Sequence, residues 1–248
     1  MSISENVRAV QDRINAAAAR CGRDPDKIML CAATKMNDTT RVREAIDAGI
    51  RICGENRVQE LLEKYEQGAY EGAELHFIGV LQKNKVRHIV GKVGLIHSVD
   101  SVPLAAEIDK RAAALGIVQD ILLEVNVGAE ESKSGFTPEE VYPALDKIAQ
   151  FGSIRVLGLM AIPPICASGE ENRIYFRQMK QLFVDIEQKK YDNSRVCMNV
   201  LSMGMSSDYE TAVEEGATLV RVGTGIFGAR HYAPAAEQDP EVKDGIIR

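Results

Sequence analysis

Residues 197–230 read CMNVLSMGMSSDYETAVEEGATLVRVGTGIFGAR, and residues 223–228 within them match the glycine pattern G-x-G-x-x-G. This pattern is typical of dinucleotide-binding folds, where it follows the first strand of a β-α-β unit and precedes another strand. Here it follows the last apolar run, and only 20 residues, with no strand pattern, remain between Gly228 and the end at residue 248. The context disfavours NAD binding. It leaves two interpretations, a turn at a strand end and a phosphate-binding loop.

Short apolar runs recur along the whole chain at fairly even intervals. Each has four to seven residues, as expected for parallel strands that are covered on both faces. The predicted strands are 28–34, 51–54, 75–81, 95–99, 121–127, 156–162, 198–203 and 219–222. Segments with helical spacing and capping residues lie between them. The predicted helices are 5–21, 38–48, 56–67, 83–90, 102–115, 138–149, 170–189 and 207–215.

This alternation predicts the fold class. Eight strands, each but the last clearly followed by a helix, indicate an α/β fold with a single (β/α)8 TIM barrel and an extra N-terminal helix. A doubly wound open sheet is the main alternative. No linker or low-complexity tract divides the 248 residues, so we expect one domain over 1–248.

Composition excludes several classes of function. The net charge of −6 disfavours binding to nucleic acid or to anionic membranes, because both need clustered positive charge. No apolar run approaches the length of a membrane span, and the N-terminus lacks the layout of a signal peptide. The five cysteines contain no C-x-x-C pair and the histidines no metal-ligand spacing, so we expect reduced thiols, no metal and a cytoplasmic protein.

Two small loops at the end of the chain indicate a phosphate site. In TIM barrels phosphate is commonly bound by the loops after strands 7 and 8, where backbone N–H groups contact the anion. The loop at 202–207 reads SMGMSS and the loop at 223–225 reads GTG. Both are rich in Gly, Ser and Thr, which let the backbone approach an anion closely.

Two cations at strand positions bear on the ligand. Lys35 ends the first predicted strand, and its interpretations are a lysine that snorkels to solvent and an amine that forms a Schiff base. With a phosphate site across the barrel mouth, the second interpretation indicates an aldehyde that carries a phosphate. Pyridoxal 5′-phosphate (PLP) and a phosphosugar aldolase intermediate both fit. Arg221 lies in the last strand, either in a structural ion pair or facing the pyridine nitrogen of PLP, which it would keep unprotonated.

Several longer motifs carry a resemblance to a known family. They are ATK at 33–35, GENRVQE at 54–60, HFIGVLQKNK at 76–85, SKSG at 132–135, GLMAIPP at 158–164, SMGMSSD at 202–208 and RVGTGIFGAR at 221–230. With them the chain resembles, over nearly its whole length, the pyridoxal phosphate homeostasis proteins (the YggS type), which are related to the barrel domain of alanine racemase. Two departures are the sequence KMND at 35–38 and Val80, which stands where proline is common.

The resemblance implies an alanine racemase N-terminal domain-like barrel of PLP fold type III and a role for each motif residue. Lys35 would form the Schiff base, and Arg221 would meet the pyridine nitrogen. The residues implied at the phosphate are Ser202, Gly223 and Thr224, with Gly204 and Ser206 nearby. Those implied around the cofactor ring are Asn56, Met160 and Met203.

The resemblance also separates two functions. Racemases need acid–base groups on both faces of the substrate carbon, and alanine racemase takes its second one, a tyrosine, from a separate β-domain. Tyr232 does not match that tyrosine in position. We therefore expect a PLP-binding carrier or regulator in intracellular PLP (vitamin B6) homeostasis without turnover of its own. The expected partners are PLP, other B6 vitamers and PLP-dependent client enzymes, and the expected state is a monomer. The alternative is a racemase-like enzyme that uses an unidentified second base or a partner protein.

Overall fold

The computed structural model describes residues 1–130, 132–164, 166, 168–189 and 195–228. Its strands are β1 (Met29–Ala33), β2 (Ile52–Glu55), β3 (Glu74–Phe77), β4 (Leu95–Val99), β5 (Gln119–Val125), β6 (Ile154–Ala161), β7 (Val196–Ser202) and β8 (Leu219–Val222). Its helices are α1 (Ile3–Arg20), α2 (Thr39–Asp47), α3 (Val58–Glu66), α4 (Val86–Ile89), α5 (Val102–Leu115), α6 (Pro138–Ile148), α7 (Arg173–Lys189), α8 (Tyr209–Glu214) and α9 (Thr224–Phe227). Single 3-10 turns lie at Pro25–Lys27 and Lys83–Lys85.

The eight strands form one closed parallel barrel in the order of the chain, with β8 pairing back to β1. The predicted TIM barrel is therefore confirmed, and the open sheet is wrong. Closure removes both sheet edges, which an open sheet of the same strands would leave unpaired. The cavity described below lies where the carboxyl ends of the strands meet.

Apolar side chains pack in two layers, one on each face of the barrel wall. The inner layer fills the barrel with residues such as Cys31, Leu122 and Leu219. The outer layer lies between the strands and the helices and includes Phe77 and Leu123. Because successive strand residues point to opposite faces, a strand that is buried on both faces is apolar almost throughout. This explains the continuous apolar runs in the sequence.

A glycine permits a break in pairing between β6 and its neighbours. The register shifts where β6 passes Gly158, on both the β5 and the β7 side. Gly158 has φ 151°, and a Cβ atom there would lie 1.9 Å from the carbonyl oxygen of Val200 in β7. Only glycine allows the two backbones this close approach. The β6–β7 pairing can therefore resume after the shift.

The N-terminal helix completes the ring of helices. Among the described residues, which end at 228, the chain after β8 forms the one-turn helix α9. α1 packs against α8, α9 and α2, and Asn6 Nδ2 donates to the carbonyl of Ile226 at 2.9 Å. Ser2 and Glu5 form a capping box that fixes its first turn. The extra N-terminal helix was predicted, whereas α9 was not.

The largest difference from the sequence prediction is the end of predicted strand 75–81, which the structure places at Phe77. β5, β6 and β7 each begin two residues earlier than predicted. The missed starts of β5 and β6 contain polar residues that are paired, as in the 2.7 Å ion pair of Arg155 with Asp120. A count of apolar residues excludes such positions. Among the helices described in the structure, none is long and apolar enough to cross a membrane.

Candidate functional site

A cavity of about 1040 Å³ opens at the carboxyl ends of the strands. In TIM barrels this face carries the functional residues. Every strand, or the loop that follows it, contributes to the wall. The residues supplied in this way include Ala33, Asn56, Ile78, Ser98, Glu124, Met160, Ser206 and Arg221.

The structure brings most of the predicted site residues to this cavity. Seven of the ten line its wall, namely Lys35, Asn56, Met160, Ser206, Arg221, Gly223 and Thr224. The other three, Ser202, Met203 and Gly204, do not line it. Ser202 ends β7, and Met203 and Gly204 follow it directly.

Ser202, Met203 and Gly204 support the cavity from behind. Ser202 is fully buried inside the barrel, where its Oγ accepts from Nη1 of Arg221 at 2.5 Å. Met203 points the opposite way and packs in the outer apolar layer. Gly204 has φ 91°, and a Cβ atom there would lie 2.5 Å from the Cβ of Ala212, so the glycine lets the loop pack on α8.

The backbone around Lys35 is held on both sides. The carbonyl of Thr34 accepts from Lys64 Nζ at 2.8 Å, and the Thr34 hydroxyl donates to Glu55 Oε1 at 2.7 Å. Beyond Lys35, the N–H of Met36 donates to Glu60 Oε1 at 2.5 Å. These bonds tie the two neighbours of Lys35 to β2 and α3, so the position at which the lysine enters the cavity is fixed.

The same contacts form a buried charged cluster of Glu55, Lys64 and Tyr70 below the cavity rim. Lys64 Nζ lies 2.7 Å from Glu55 Oε1, which also accepts from the Tyr70 hydroxyl at 3.1 Å. Burial raises the pKa of Glu55 while the charge of Lys64 opposes that rise, and burial beside Glu55 raises the pKa of Tyr70. The cluster is the main polar link between the end of β1 and α3.

Arg221 lies deep in the cavity floor. Nη1 donates to the carbonyl and the hydroxyl of Ser202 at 2.9 and 2.5 Å, and Nη2 donates to the carbonyl of Ala161 at 3.0 Å. Burial lowers the pKa of Arg221, although a guanidinium remains charged in proteins. No carboxylate of the described residues is within ion-pair distance of it. The floor therefore presents a buried positive charge held by neutral oxygens.

Buried oxygens without partners lie along the same cavity wall. Glu124 is 8% exposed, and its Oε1 accepts from Ser134 Oγ at 3.2 Å. Within the described part of the chain, Glu124 Oε2, Ser98 Oγ and Asn56 Oδ1 have no hydrogen-bond partner. Burial raises the pKa of Glu124. These oxygens are available to polar groups of a ligand.

The two polar residues of predicted strand 121–127, Glu124 and Asn126, differ in what they contact. The sequence allows both a place at the barrel mouth and a structural pairing for each of them. Glu124 lines the cavity, whereas Asn126 Nδ2 donates to the carbonyl of Glu130 at 2.8 Å and so holds the loop. Ser98 was missed, although its place near the carboxyl end of β4 was a usable signal.

The two small loops meet at one point of the wall. Ser206 Oγ accepts from the N–H groups of Gly223 and Gly225, at 3.1 and 3.4 Å. Backbone donors from the loop after β8 thus converge on one oxygen next to the cavity. A phosphate oxygen bound at this point would have these donors and the Ser206 hydroxyl around it.

Two of the histidines contact each other inside the barrel, where His76 Nδ1 lies 3.0 Å from His97 Nε2. No cluster of three or more candidate metal ligands occurs among the residues described. His231 and Tyr232 lie outside the described residues.

Comparisons with known proteins bear on this site. The family model of the alanine racemase N-terminal domain matches residues 5–231. The pyridoxal phosphate homeostasis protein of Aquifex aeolicus is 46% identical over 232 residues, covering 94% of this chain and 100% of the relative. That of Escherichia coli K12 is 38% identical over 235 residues, covering 93% and 98%.

Two solved structures complete the comparison. PipY of Synechococcus elongatus PCC7942 with PLP bound has a TM-score of 0.78 at 33% identity, covering 92% of this chain and 100% of that one. Alanine racemase of Clostridium difficile 630 has a TM-score of 0.67 at 14% identity, covering 94% and 58%. The second likeness shows the shared barrel fold alone.

Proposed function

Because the chain belongs to the pyridoxal phosphate homeostasis proteins, within the alanine racemase N-terminal domain family, we propose that it binds PLP and acts as a carrier or regulator in vitamin B6 homeostasis. One observation carries this proposal. A single cavity contains the Lys35 position, the buried Arg221 and the convergent donors of the loops after β7 and β8. An aldehyde, a pyridine ring and a phosphate have chemically matching residues there.

Each part of PLP meets a suitable group. Lys35 supplies the amine that binds the aldehyde as a Schiff base. Ser206, Gly223 and Thr224 bind the phosphate through small hydroxyls and backbone N–H groups. Arg221 faces the pyridine nitrogen, and Asn56 and Met160 line the ring. In this assignment Ser202 acts on the cofactor through Arg221, while Met203 and Gly204 support the wall.

The cation at the cavity floor favours binding over catalysis. PLP stabilises carbanions most strongly when its ring nitrogen is protonated. A guanidinium beside that nitrogen opposes protonation, because two adjacent positive charges repel. Arg221 is buried and tightly bound to Ser202 and Ala161, so it cannot turn away easily. We therefore propose that the chain holds PLP and turns over amino acids negligibly.

A racemase-like activity remains the alternative, and one residue favours it. Glu124 lines the cavity that contains Lys35, and burial raises its pKa, which favours the protonated form that can donate a proton. Incubation with single L- and D-amino acids in deuterated water separates the two functions. The carrier proposal expects at most slow exchange of the α-hydrogen. Racemisation over many turnovers, lost in both Lys35→Ala and Glu124→Gln, would establish the enzyme.

The proposal also covers the location of the protein, its oligomeric state and the transfer of PLP to other enzymes. We place it in the cytoplasm, since all five cysteines are free thiols. We further propose a single-domain monomer that hands PLP to PLP-dependent client enzymes. Size-exclusion chromatography with light scattering tests the monomer, and reactivation of an apo-enzyme by the PLP-loaded protein tests the transfer.

Retention of the ligand tests the binding function. The purified protein, mixed with PLP and desalted, should keep a yellow chromophore. Pyridoxal, which lacks the phosphate, should bind much more weakly, because the loop donors then have no anion to contact. Equal affinity for the two vitamers would contradict the proposed phosphate site, and a colourless protein would contradict PLP binding.

A further inference from the structure

A row of polar side chains crosses the inside of the barrel beneath the cavity. Arg221 Nη1 lies 2.5 Å from Ser202 Oγ, which lies 3.0 Å from His97 Nδ1. His97 Nε2 lies 3.0 Å from His76 Nδ1, and His76 Nε2 lies 3.2 Å from Glu74 Oε1. We call these five residues the barrel chain. It joins the cavity floor to the first residue of β3, at the opposite end of the barrel.

The two ends of the barrel chain fix the direction of its hydrogen bonds. A guanidinium can only donate, so Ser202 Oγ accepts from Arg221 and has its own proton left to donate to His97. At the other end an ionised Glu74 can only accept, so His76 donates from Nε2. His97 then accepts at Nδ1 and donates from Nε2–H to Nδ1 of His76. Each of the four members before Glu74 thus donates once toward it.

Burial favours the neutral form of His97 and separates the middle of the barrel chain from solvent. His97 and Ser202 are fully buried, and His76 is nearly so. Burial lowers the pKa of His97 well below its ordinary value, and the positive charge of Arg221 lowers it further. The hydrogen bond from His76 lowers the pKa of Glu74, whose side chain is 57% exposed. A buried cation is therefore linked to an exposed anion through three hydrogen-bonded side chains.

We propose that His76 and His97 are positioning residues that hold the Arg221 guanidinium toward the cavity and couple it to the charge of Glu74. The effect of this coupling on a ligand rests on the proposed function, because the affected ligand atom is the ring nitrogen of PLP. Hydrogen bonds in series polarise one another in a low dielectric. The anion at Glu74 thereby strengthens the hold on Arg221, and the electronic state of the bound ring responds to a residue that does not touch it.

The tautomers of the two histidines test the barrel chain in the protein without ligand. Long-range proton–nitrogen NMR of histidine-labelled protein distinguishes the two neutral tautomers from the cation. The proposal expects His76 and His97 both neutral at pH 7, each with its proton on Nε2. A proton on Nδ1 of His97, or a charged ring at either position, would overturn the assigned direction. This result does not depend on PLP binding.

The exposed end provides the second test, with a matched control. Glu74→Gln removes the anion without disturbing the buried members, and Glu71→Gln removes an exposed carboxylate that is outside the barrel chain. In Glu74→Gln, whose amide oxygen can still accept from His76, we expect a shifted absorbance maximum of bound PLP and about three- to tenfold weaker binding, the difference between a charge-assisted and a neutral hydrogen bond. Glu71→Gln should match the wild type.

The outcomes separate the two proposals. An unchanged spectrum and affinity in Glu74→Gln would overturn the coupling while leaving PLP binding intact. A wild-type protein that binds no PLP would contradict the proposed function, whereas the NMR measurement would still decide the barrel chain. If His97→Asn also folds, we expect a larger shift of the absorbance maximum of bound PLP than in Glu74→Gln. The reason is that His97→Asn breaks the series of hydrogen bonds next to Ser202.

Discussion

Two cations are placed at the cavity by opposite means. Arg221 is held by its own side chain, which donates hydrogen bonds to Ser202 and Ala161 deep inside the barrel. Lys35 is placed through its backbone, since the bonds to Thr34 and Met36 fix the chain on both sides. The cavity therefore has a buried guanidinium at its floor and, at its rim, a lysine whose backbone is fixed.

The two serines near the phosphate site should differ in a measurable way. Ser206→Ala removes a hydroxyl at the loops and should weaken PLP by on the order of 1 kcal/mol, with little effect on pyridoxal. Ser202→Ala acts through Arg221 and should weaken both vitamers and shift the absorbance of bound PLP. Titration of each variant with both vitamers gives these values. If Ser202→Ala weakened the binding of PLP but not that of pyridoxal, the result would support the direct phosphate contact that the sequence motif implies.

Glu124 should make stability depend on pH. Burial raises its pKa in the folded state, so the folded protein binds this proton more tightly than the unfolded chain does. Its contribution to stability is full below the unfolded pKa of about 4.3 and falls as the pH rises through the folded pKa. Glu124→Gln should therefore be more stable than the wild type at pH 7, with the gain vanishing below about pH 4.

Urea unfolding at several pH values measures this difference. Glu66→Gln, which changes an exposed carboxylate on α3, is the matched control and should show no such pH dependence. A wild type that is more stable than Glu124→Gln at pH 7 would show that the ionised carboxylate is satisfied. That outcome would show that Glu124 is not available as a proton donor in the racemase-like alternative.

At the scale of elements, the buried cluster joins β1, β2 and α3 behind Lys35. Glu55 ends β2 and Lys64 lies in α3, and both bond to Thr34, which follows β1. One buried carboxylate oxygen of Glu55 thus serves the lysine, the threonine and Tyr70 together. Such a pair contributes little net stability but is costly to break, because the remaining charge is left buried.

Loss of Lys64 should therefore be severe. Lys64→Met leaves Glu55 without its counter-charge and should reduce the free energy of unfolding by about 3–5 kcal/mol. Adding Glu55→Gln to it should recover part of the loss, because the buried charge is then gone. Denaturant unfolding provides the measurement, with Lys110→Met on the exposed face of α5 as the control. A Lys64→Met variant as stable as the control would refute this role of the cluster.

At the scale of the molecule, local patterns predicted the barrel but could not predict its long-range contacts. Eight apolar runs with helices between them suffice for the fold, and strand ends suffice to place Lys35 and Arg221 at one face. The phosphate contact implied for Ser202 stays a prediction, because the structure buries its side chain inside the barrel against Arg221 and His97. The contact between His97 and Ser202 spans 105 positions, and nothing in the local sequence indicates it.

The most direct test of PLP binding is the identity of the residue that carries it. Borohydride reduces the bond between PLP and its lysine, and mass spectrometry of the digested protein then locates the label. The account predicts the label on the peptide that contains Lys35, and loss of both label and yellow colour in Lys35→Ala but not in Lys92→Ala. Labelling mainly on another lysine of the wild type would contradict it.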